Sequence, residues 1–256
     1  MSDPQLSVLV VARDEAAQLA ECLERLRFAD DLVVVLDRTT DASAEIAGRF
    51  EARVIEGAWP IEGARRNAGI EACSGDWVLE VDADERVSEA LATEVRATVA
   101  GAAPGHYLVP FDNYLGGRLV RHGWGASWGV RAAPRLFSRG AKRWGSQRVH
   151  PALELGPLRG RLRAPMEHYM EGGVSAMLAR LDHYSAARAR DLRDSGDIGS
   201  LSRNLRRLFT RFLKCYLGRK GYREGATGFL IALMAGLYPL VSHLRARLEA
   251  DGGEDA

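Results

Sequence analysis

An α/β fold, with a mostly parallel sheet flanked by helices, is predicted by three features of the first third of the sequence. Apolar runs rich in valine recur, each is followed by a stretch with helical spacing, and three of the runs end in polar or charged residues. Unbroken apolar runs mark strands covered on both faces. Their alternation with helices marks parallel pairing through crossover connections.

The elements follow in order. "LSVLVVA" (Leu6 to Ala12) is the first strand, and "RDEAAQLAECLERLR" after it carries Ala16, Leu19, Ala20, Leu23 and Leu26 on one helical face. "DLVVVLD" (Asp31 to Asp37) is the second strand. "TDASAEIAGRF" is a helix opened by capping residues, with Asp41 and Ser43 in that role. "ARVIE" is a third strand, "EGARRNAGIEAC" a helix and "DWVLEV" a fourth strand.

Composition narrows the classes. The 256 residues are 46% hydrophobic and 27% charged, with a formal net charge of +1. A dedicated nucleic-acid binder would be strongly basic, so no nucleic acid is expected as partner. Cys22, Cys73 and Cys215 lie far apart and are odd in number, which suggests neither a zinc knuckle nor a disulfide framework and fits a reducing cytosol. Met1 to Gln5 is short and polar, so no signal peptide is expected there.

In parallel sheets ligands collect at the carboxyl ends of the strands. Arg13, Asp14 and Glu15 follow the first strand, Asp37 ends the second, and Asp82 and Asp84 follow the fourth. Caps and loops would account for some of these charges. Two carboxylates at i and i+2, however, project the same way and repel each other unless a cation sits nearby. Mg²⁺ and Mn²⁺ sites that hold phosphates are built from one or two carboxylates plus substrate oxygens.

The blocks "SVLVVARDEA", "ADDLVVVLDRTTDAS" and "GARRNAGIEACSGDWVLEVDADERV", in this order, resemble the inverting family 2 glycosyltransferases, and within them the lipopolysaccharide core glucosyltransferase branch. The resemblance is strong over residues 6 to 90 and continues weakly to about 245. It implies a GT-A (Rossmann-like) fold and a nucleoside diphosphate sugar donor, UDP-linked. It also implies a divalent metal (Mg²⁺ or Mn²⁺) and a lipid-linked acceptor such as a lipopolysaccharide core sugar. By position Asp37 matches the acid that binds the nucleotide base, and Arg66 and Asn67 match the helix under the diphosphate-sugar. Asp82, Ala83 and Asp84 match the DxD motif, Asp84 being the more direct metal ligand. Ala12, Arg13 and Asp14 depart from the family's usual Thr-Lys/Tyr-Asn in the donor-binding first loop, while Glu15 matches.

An inverting transferase needs a base for the attacking hydroxyl. Relatives place a glutamate after the histidine of a "VHE" segment, where this chain has Pro151 in "VHPALE". Glu154, His150 and Asp112 are the candidates. His168, in "PMEHY", occupies the place of a late histidine near the metal, making Asp84, Asp82 and His168 the implied ligand set. Trp124, Trp128 and Trp144 suit sugar stacking or core packing.

The resemblance and the change of character near residue 170 place a catalytic domain over 1–170 and a helical, membrane-associating region over 171–256. "SAMLARLDHYSAARARDLRDSG" is helical. "RNLRRLFTRFLKCYLGRKGYR" sets eight Lys and Arg and no acid against an apolar, aromatic face, as expected for contact with anionic lipid. "GATGFLIALMAGLYPLVSHL" (Gly225 to Leu244) is long enough to span hydrocarbon, but its glycines and Pro239 favour a helix in or dipping into the interface. The expected enzyme is therefore peripheral or monotopic, on the cytoplasmic face of the inner membrane. Two other readings compete with it. A nucleotidyltransferase on a similar fold would need a Gly-rich basic first loop, and a non-catalytic lipid-binding module is suggested by the missing "VHE" acid.

Overall fold

The computed structural model describes residues 5–125, 129–147 and 151–249, which group into two units. Unit one takes the described residues within Met1–Asp112, Ala132–Gln147 and Pro151–Tyr169; unit two takes those within Asn113–Arg131 and Met170–Ala256.

Unit one begins with β1 (Leu6–Ala12), α1 (Ala16–Glu24), β2 (Asp31–Asp37), α2 (Ser43–Arg49), β3 (Arg53–Gly57), α3 (Glu62–Ala72) and β4 (Trp77–Asp82). The strands pair in parallel in the order β3, β2, β1, β4, with Val10 beside Val34 and Leu9 beside Glu80. Strand alternation sends Leu6, Val8 and Val10 to one face, where they pack with Leu19 and Leu23 of α1. Leu9 and Val11 go to the other face, with Val35 and with Ile70 of α3. Helix α4 (Glu89–Gly101), opened by the Ser88 side chain capping Leu91, adds Leu91, Val95 and Val99 to the first face. Both faces are thus covered, which is why the strands are apolar throughout.

Beyond β4 the sheet becomes antiparallel. β8 (Ala132–Ser138) pairs with β4, and β6 (His106–Leu115) pairs with β8. β11 (Leu158–Arg161) joins β6 in parallel, and β12 (Met166–Met170) pairs antiparallel with the two-residue β5 (Glu85–Arg86). A separate hairpin joins β9 (Lys142–Trp144) to β10 (Leu153–Leu155). The parallel character expected from the sequence belongs to the first four strands, and the sheet as a whole is mixed.

Unit two holds β7 (Arg118–Val120), which pairs with the end of β6, and three long helices. These are α5 (Val174–Asp194), α6 (Leu201–Leu213) and α7 (Gly225–Leu248). A π-helical turn (Lys214–Gly218) and a 3₁₀ turn (Gly221–Glu224) separate α6 from α7. Ile231, Met234, Ala235 and Tyr238 of α7 pack with Met177 and Leu181 of α5 and with Trp124 and Cys215. Trp124 is therefore a core residue of this unit, its indole N–H donating to the Val120 carbonyl.

Candidate functional site

Because β1, β2 and β4 run in parallel, their carboxyl ends share one edge, and the loops there carry the charges. Asp14 and Arg38 both take left-handed backbone conformations, with φ of 53° and 51°, at the ends of β1 and β2. Asp14 Oδ1 accepts the Thr40 amide at 2.8 Å, and Asp41 accepts the amide of Ala16 at 2.8 Å. Asp41 and Ser43 do not cap α2 as expected, since its N-cap position is Ala42 with no side-chain cap; Asp41 Oδ1 accepts the Ser43 amide at 2.9 Å and Ser43 Oγ accepts the Glu15 amide at 3.2 Å, which ties the two loops together. Ala12 is buried at the end of β1, Arg13 is exposed and Glu15 is half-buried. Burial raises the Glu15 carboxyl pKa against its Gln18 hydrogen bond, and the charges of Asp84, Asp41 and Asp82 raise it further.

Asp37 is 2% exposed. Its Oδ1 accepts the Trp59 amide at 3.1 Å, and its Oδ2 meets Arg38 at 3.0 Å and Arg65 at 3.3 Å. The two arginines give this buried carboxylate its counter-charges at the end of β2.

The end of β4 opens a larger cluster. Asp82 lies 2.8 Å from Arg66 and 2.5 Å from Arg135 through its two oxygens. Arg66 also holds Glu62 at 2.8 Å and the fully buried Glu80 at 2.6 Å. Glu80 binds Lys142 as well, and Arg135 reaches Glu85 at 2.6 Å. Trp144 covers the cluster, 5.0 Å from the Arg66 guanidinium and 4.5 Å from Lys142 Nζ. Burial alone would raise Glu80, but Lys142, Arg66 and Arg135 outweigh it and hold the carboxyl at about 2. Arg135 and Arg66 likewise hold Asp82 well below the usual carboxylate range. Burial pushes Glu85 the other way, against Arg135, helped by the charges of Asp82 and Asp84.

Asn67 serves a different purpose. Its amide donates to the Trp144 carbonyl and accepts from the Trp144 amide, both at 2.9 Å, and so fastens α3 to the β9–β10 hairpin. Ala83 is buried in the core between the two aspartates, and Arg86 donates to its carbonyl at 2.8 Å, tying down the turn.

Asp84 is the carboxylate of the motif left facing outward. The register of β5 against β12 sets His168 opposite Glu85, and the Tyr169 amide donates to the Asp84 carbonyl at 2.9 Å. That pairing brings His168 Nε2 to 3.2 Å from Asp84 Oδ2, with the two side chains 23% and 31% exposed. Burial would lower the His168 pKa, yet the hydrogen bond and charge of Asp84 raise it above the ordinary value. A carboxylate oxygen and an imidazole nitrogen side by side suit one divalent cation whose other positions are filled by substrate oxygens and water. Among the described residues no group of three or more His, Cys, Asp or Glu side chains converges to hold a metal alone.

Of the base candidates, Asp112 and Glu154 lie on different strands, β6 and β10. Glu154 is exposed on β10, in register with Arg143. Asp112 follows Phe111, whose ring lies 6.2 Å from that of His168, so strand alternation turns Asp112 to the opposite face of β6. His150 and Trp128 lie outside the described residues. The sequence reading missed Glu80, Glu85, Arg135 and Lys142. A single glutamate inside the apolar run "WVLEV" was the available sign, since a buried carboxylate requires buried cations.

Residues 7–134 match the model of the family described as glycosyl transferase family 2. The chain is 25% identical over 258 aligned residues to the lipopolysaccharide core biosynthesis glycosyltransferase LpsC of Rhizobium meliloti, covering 93% of this chain and 90% of LpsC. It is 24% identical to the uncharacterized glycosyltransferase RT0209 of Rickettsia typhi, over 90% of this chain and 82% of that one. Among solved structures, glucosyl-3-phosphoglycerate synthase from Mycobacterium tuberculosis in complex with Mn²⁺ and UDP-Glc is similar at 20% identity and a TM-score of 0.38, covering 43% of this chain and 44% of that one.

Proposed function

Because the chain belongs to glycosyl transferase family 2, and is a glycosyltransferase on that ground, we propose that it moves a hexose from a UDP-linked donor to a lipid-linked glycan of the lipopolysaccharide core type. Transfer proceeds with inversion, with a divalent ion on the diphosphate, at the cytoplasmic surface of the inner membrane. The acceptor class is supported by the similarity to LpsC, which extends over 93% of the chain. The observation that carries the donor chemistry is the partly exposed pair of Asp84 and His168, 3.2 Å apart, at the edge where the parallel strands end.

Asp84 and His168 would hold the ion, and a mixed oxygen and nitrogen donor set suits Mn²⁺ better than Mg²⁺. When bound, the ion supplies positive charge to a diphosphate whose own charge grows as the anomeric bond breaks. The protein's residues do the rest by position. Asp82, gripped by Arg66 and Arg135, is a positioning residue that fixes the turn carrying Asp84. Asp37 accepts from the nucleotide base, and Ala12, Arg13 and Glu15 line the first loop beside it. The attacking hydroxyl gives its proton to one of the three candidate bases, Glu154, His150 or Asp112.

The test is release of UDP from a panel of UDP-sugars with a lipid-linked acceptor, with Mn²⁺ and with EDTA. Asp84→Asn should lower kcat by about 10²- to 10³-fold while the melting temperature holds. Wild-type turnover in that variant would remove the metal assignment. Glu154→Gln, His150→Gln and Asp112→Asn identify the base by which one abolishes transfer and leaves donor binding intact. No release with any donor, with or without metal, would favour a non-catalytic lipid-binding module.

A further inference from the structure

Helix α6 has two apolar faces, and its own fold uses only one. Leu208, Phe212 and Cys215 turn inward, buried or half-buried. A second ladder, Leu201, Leu205, Phe209 and Leu213, repeats every four residues along the outside and continues to Leu217 in the π-helical turn. All five are exposed, Phe209 by 63%. Spacing of four keeps them on one slowly drifting stripe of the helix surface.

The stripe widens into an aromatic patch. Phe212 stacks on Tyr216 at 5.5 Å between ring centroids and meets Phe229 edge-on at 5.5 Å; Tyr216 meets Tyr222 at 6.5 Å. Tyr222 and Phe229 remain about half exposed. On the other flank of the stripe stand Arg203, Arg206, Arg207 and Lys214, all exposed. Between residues 198 and 223 the chain has eight Lys and Arg and no acid.

An apolar ladder, exposed aromatic rings and a cationic sector in adjoining positions fit the layers of an anionic bilayer surface: acyl chains, interface and phosphates. A second copy of this chain fits poorly, since it would oppose one cationic sector with another. We propose that α6 is the membrane-contacting element. Leu205, Phe209, Leu213 and Leu217 enter the acyl boundary while Arg203, Arg206 and Lys214 meet headgroup phosphates, and α7 stays in the protein core. The proposal rests on the membrane-surface part of the proposed function and is independent of the donor chemistry.

Flotation of the full chain with phosphatidylcholine vesicles, and with vesicles of phosphatidylcholine and phosphatidylglycerol in equal parts, tests it. The wild type should float with the mixed vesicles only, and less at high salt. Leu205→Ser/Phe209→Ser/Leu213→Ser should lower vesicle affinity by more than about tenfold. Arg203→Gln/Arg206→Gln/Lys214→Gln should remove the preference for anionic lipid, roughly fivefold per charge and about 100-fold together. All six side chains are exposed, and unchanged near-ultraviolet circular dichroism with unchanged UDP release in detergent would show intact folding. Wild-type flotation by the apolar triple variant would overturn the proposal. So would a wild-type dimer, seen in sedimentation velocity, that this variant dissolves while vesicle binding persists. Vesicle binding without any sugar transfer would leave it standing and defeat only the enzymatic reading.

Discussion

Glu80 sits in mid-strand, with no exposure, and shares three cations: Arg66 at 2.6 Å, Lys142, and Arg135 at 3.9 Å. Removing one partner of a buried ion pair costs more than forming the pair gains, because the remaining charges lose their counterion without recovering water. Glu80→Gln should therefore destabilise unit one by about 3–5 kcal/mol in urea denaturation. A loss below about 1 kcal/mol would mean that the cations find other acids, with Asp82 and Glu85 the nearest. The same cluster explains why Asp82 and Asp84 differ although they are two residues apart in one motif. Asp82 is neutralised by guanidinium groups inside the protein, and Asp84 is left with an imidazole at the surface.

At the scale of elements, Asp31 joins three strand ends. It accepts from Ser7 Oγ at 2.6 Å, from the Ser74 amide at 2.9 Å and from Arg53 at 2.6 Å. Burial opposes its ionisation, but these donors prevail and lower the carboxyl from 3.8 to about 2. With the folded pKa depressed, the stabilisation is complete above the unfolded value and lost as pH falls from about 4 towards 2. It amounts to roughly 2 kcal/mol. Denaturation of wild type and Asp31→Asn should differ by that amount at pH 7 and converge near pH 2; equal curves at both would sink the assignment. Helix α3 offers a second test, because a Cβ on Gly63 would meet the Gly145 carbonyl oxygen at 2.0 Å. Gly63→Ala should cost about 1–3 kcal/mol and speed hydrogen exchange in the β9–β10 hairpin, which the helix could no longer approach. These elements also divide what the sequence made legible from what it did not. β1 and β2 were read with their observed ends, because burial on both faces writes an unbroken apolar run. β8 and β12 are set by pairing with distant segments, and β9 pairs, among the described residues, only with its neighbour β10, so nothing local announced that Arg135, Lys142 and His168 would converge on β4 and β5. His168 was reached only through the family resemblance. Helix α4, for which no expectation was formed, carries an ordinary serine cap and a Leu91, Val95, Val99 face.

For the molecule as a whole, the decisive element is α7. By length and composition its segment is apolar enough to cross a bilayer. Half of its most apolar stretch is buried within the protein. A Cβ on Gly228 would meet the Gly221 carbonyl oxygen at 1.9 Å, and one on Gly236 would meet that of Leu208 at 2.7 Å, so its glycines allow backbones to touch. Two of its polar side chains are bonded inside the same unit: Ser242 Oγ donates to the Tyr238 carbonyl at 2.7 Å, and His243 Nδ1 lies 3.0 Å from the Ile198 carbonyl oxygen. Transfer of α7 into hydrocarbon would strip Met177, Leu181 and Cys215 of their cover and leave Ile198 without its partner. Half of the apolar stretch of α7 is thus used by the core, while the outer ladder of α6 is not. It follows that membranes carrying the full chain should release it on washing with alkaline carbonate, which strips interfacial proteins and leaves spanning helices behind. Retention in the carbonate-washed pellet would show that α7 leaves the fold for the bilayer, and the assignment of the membrane contact to α6 would fall with it.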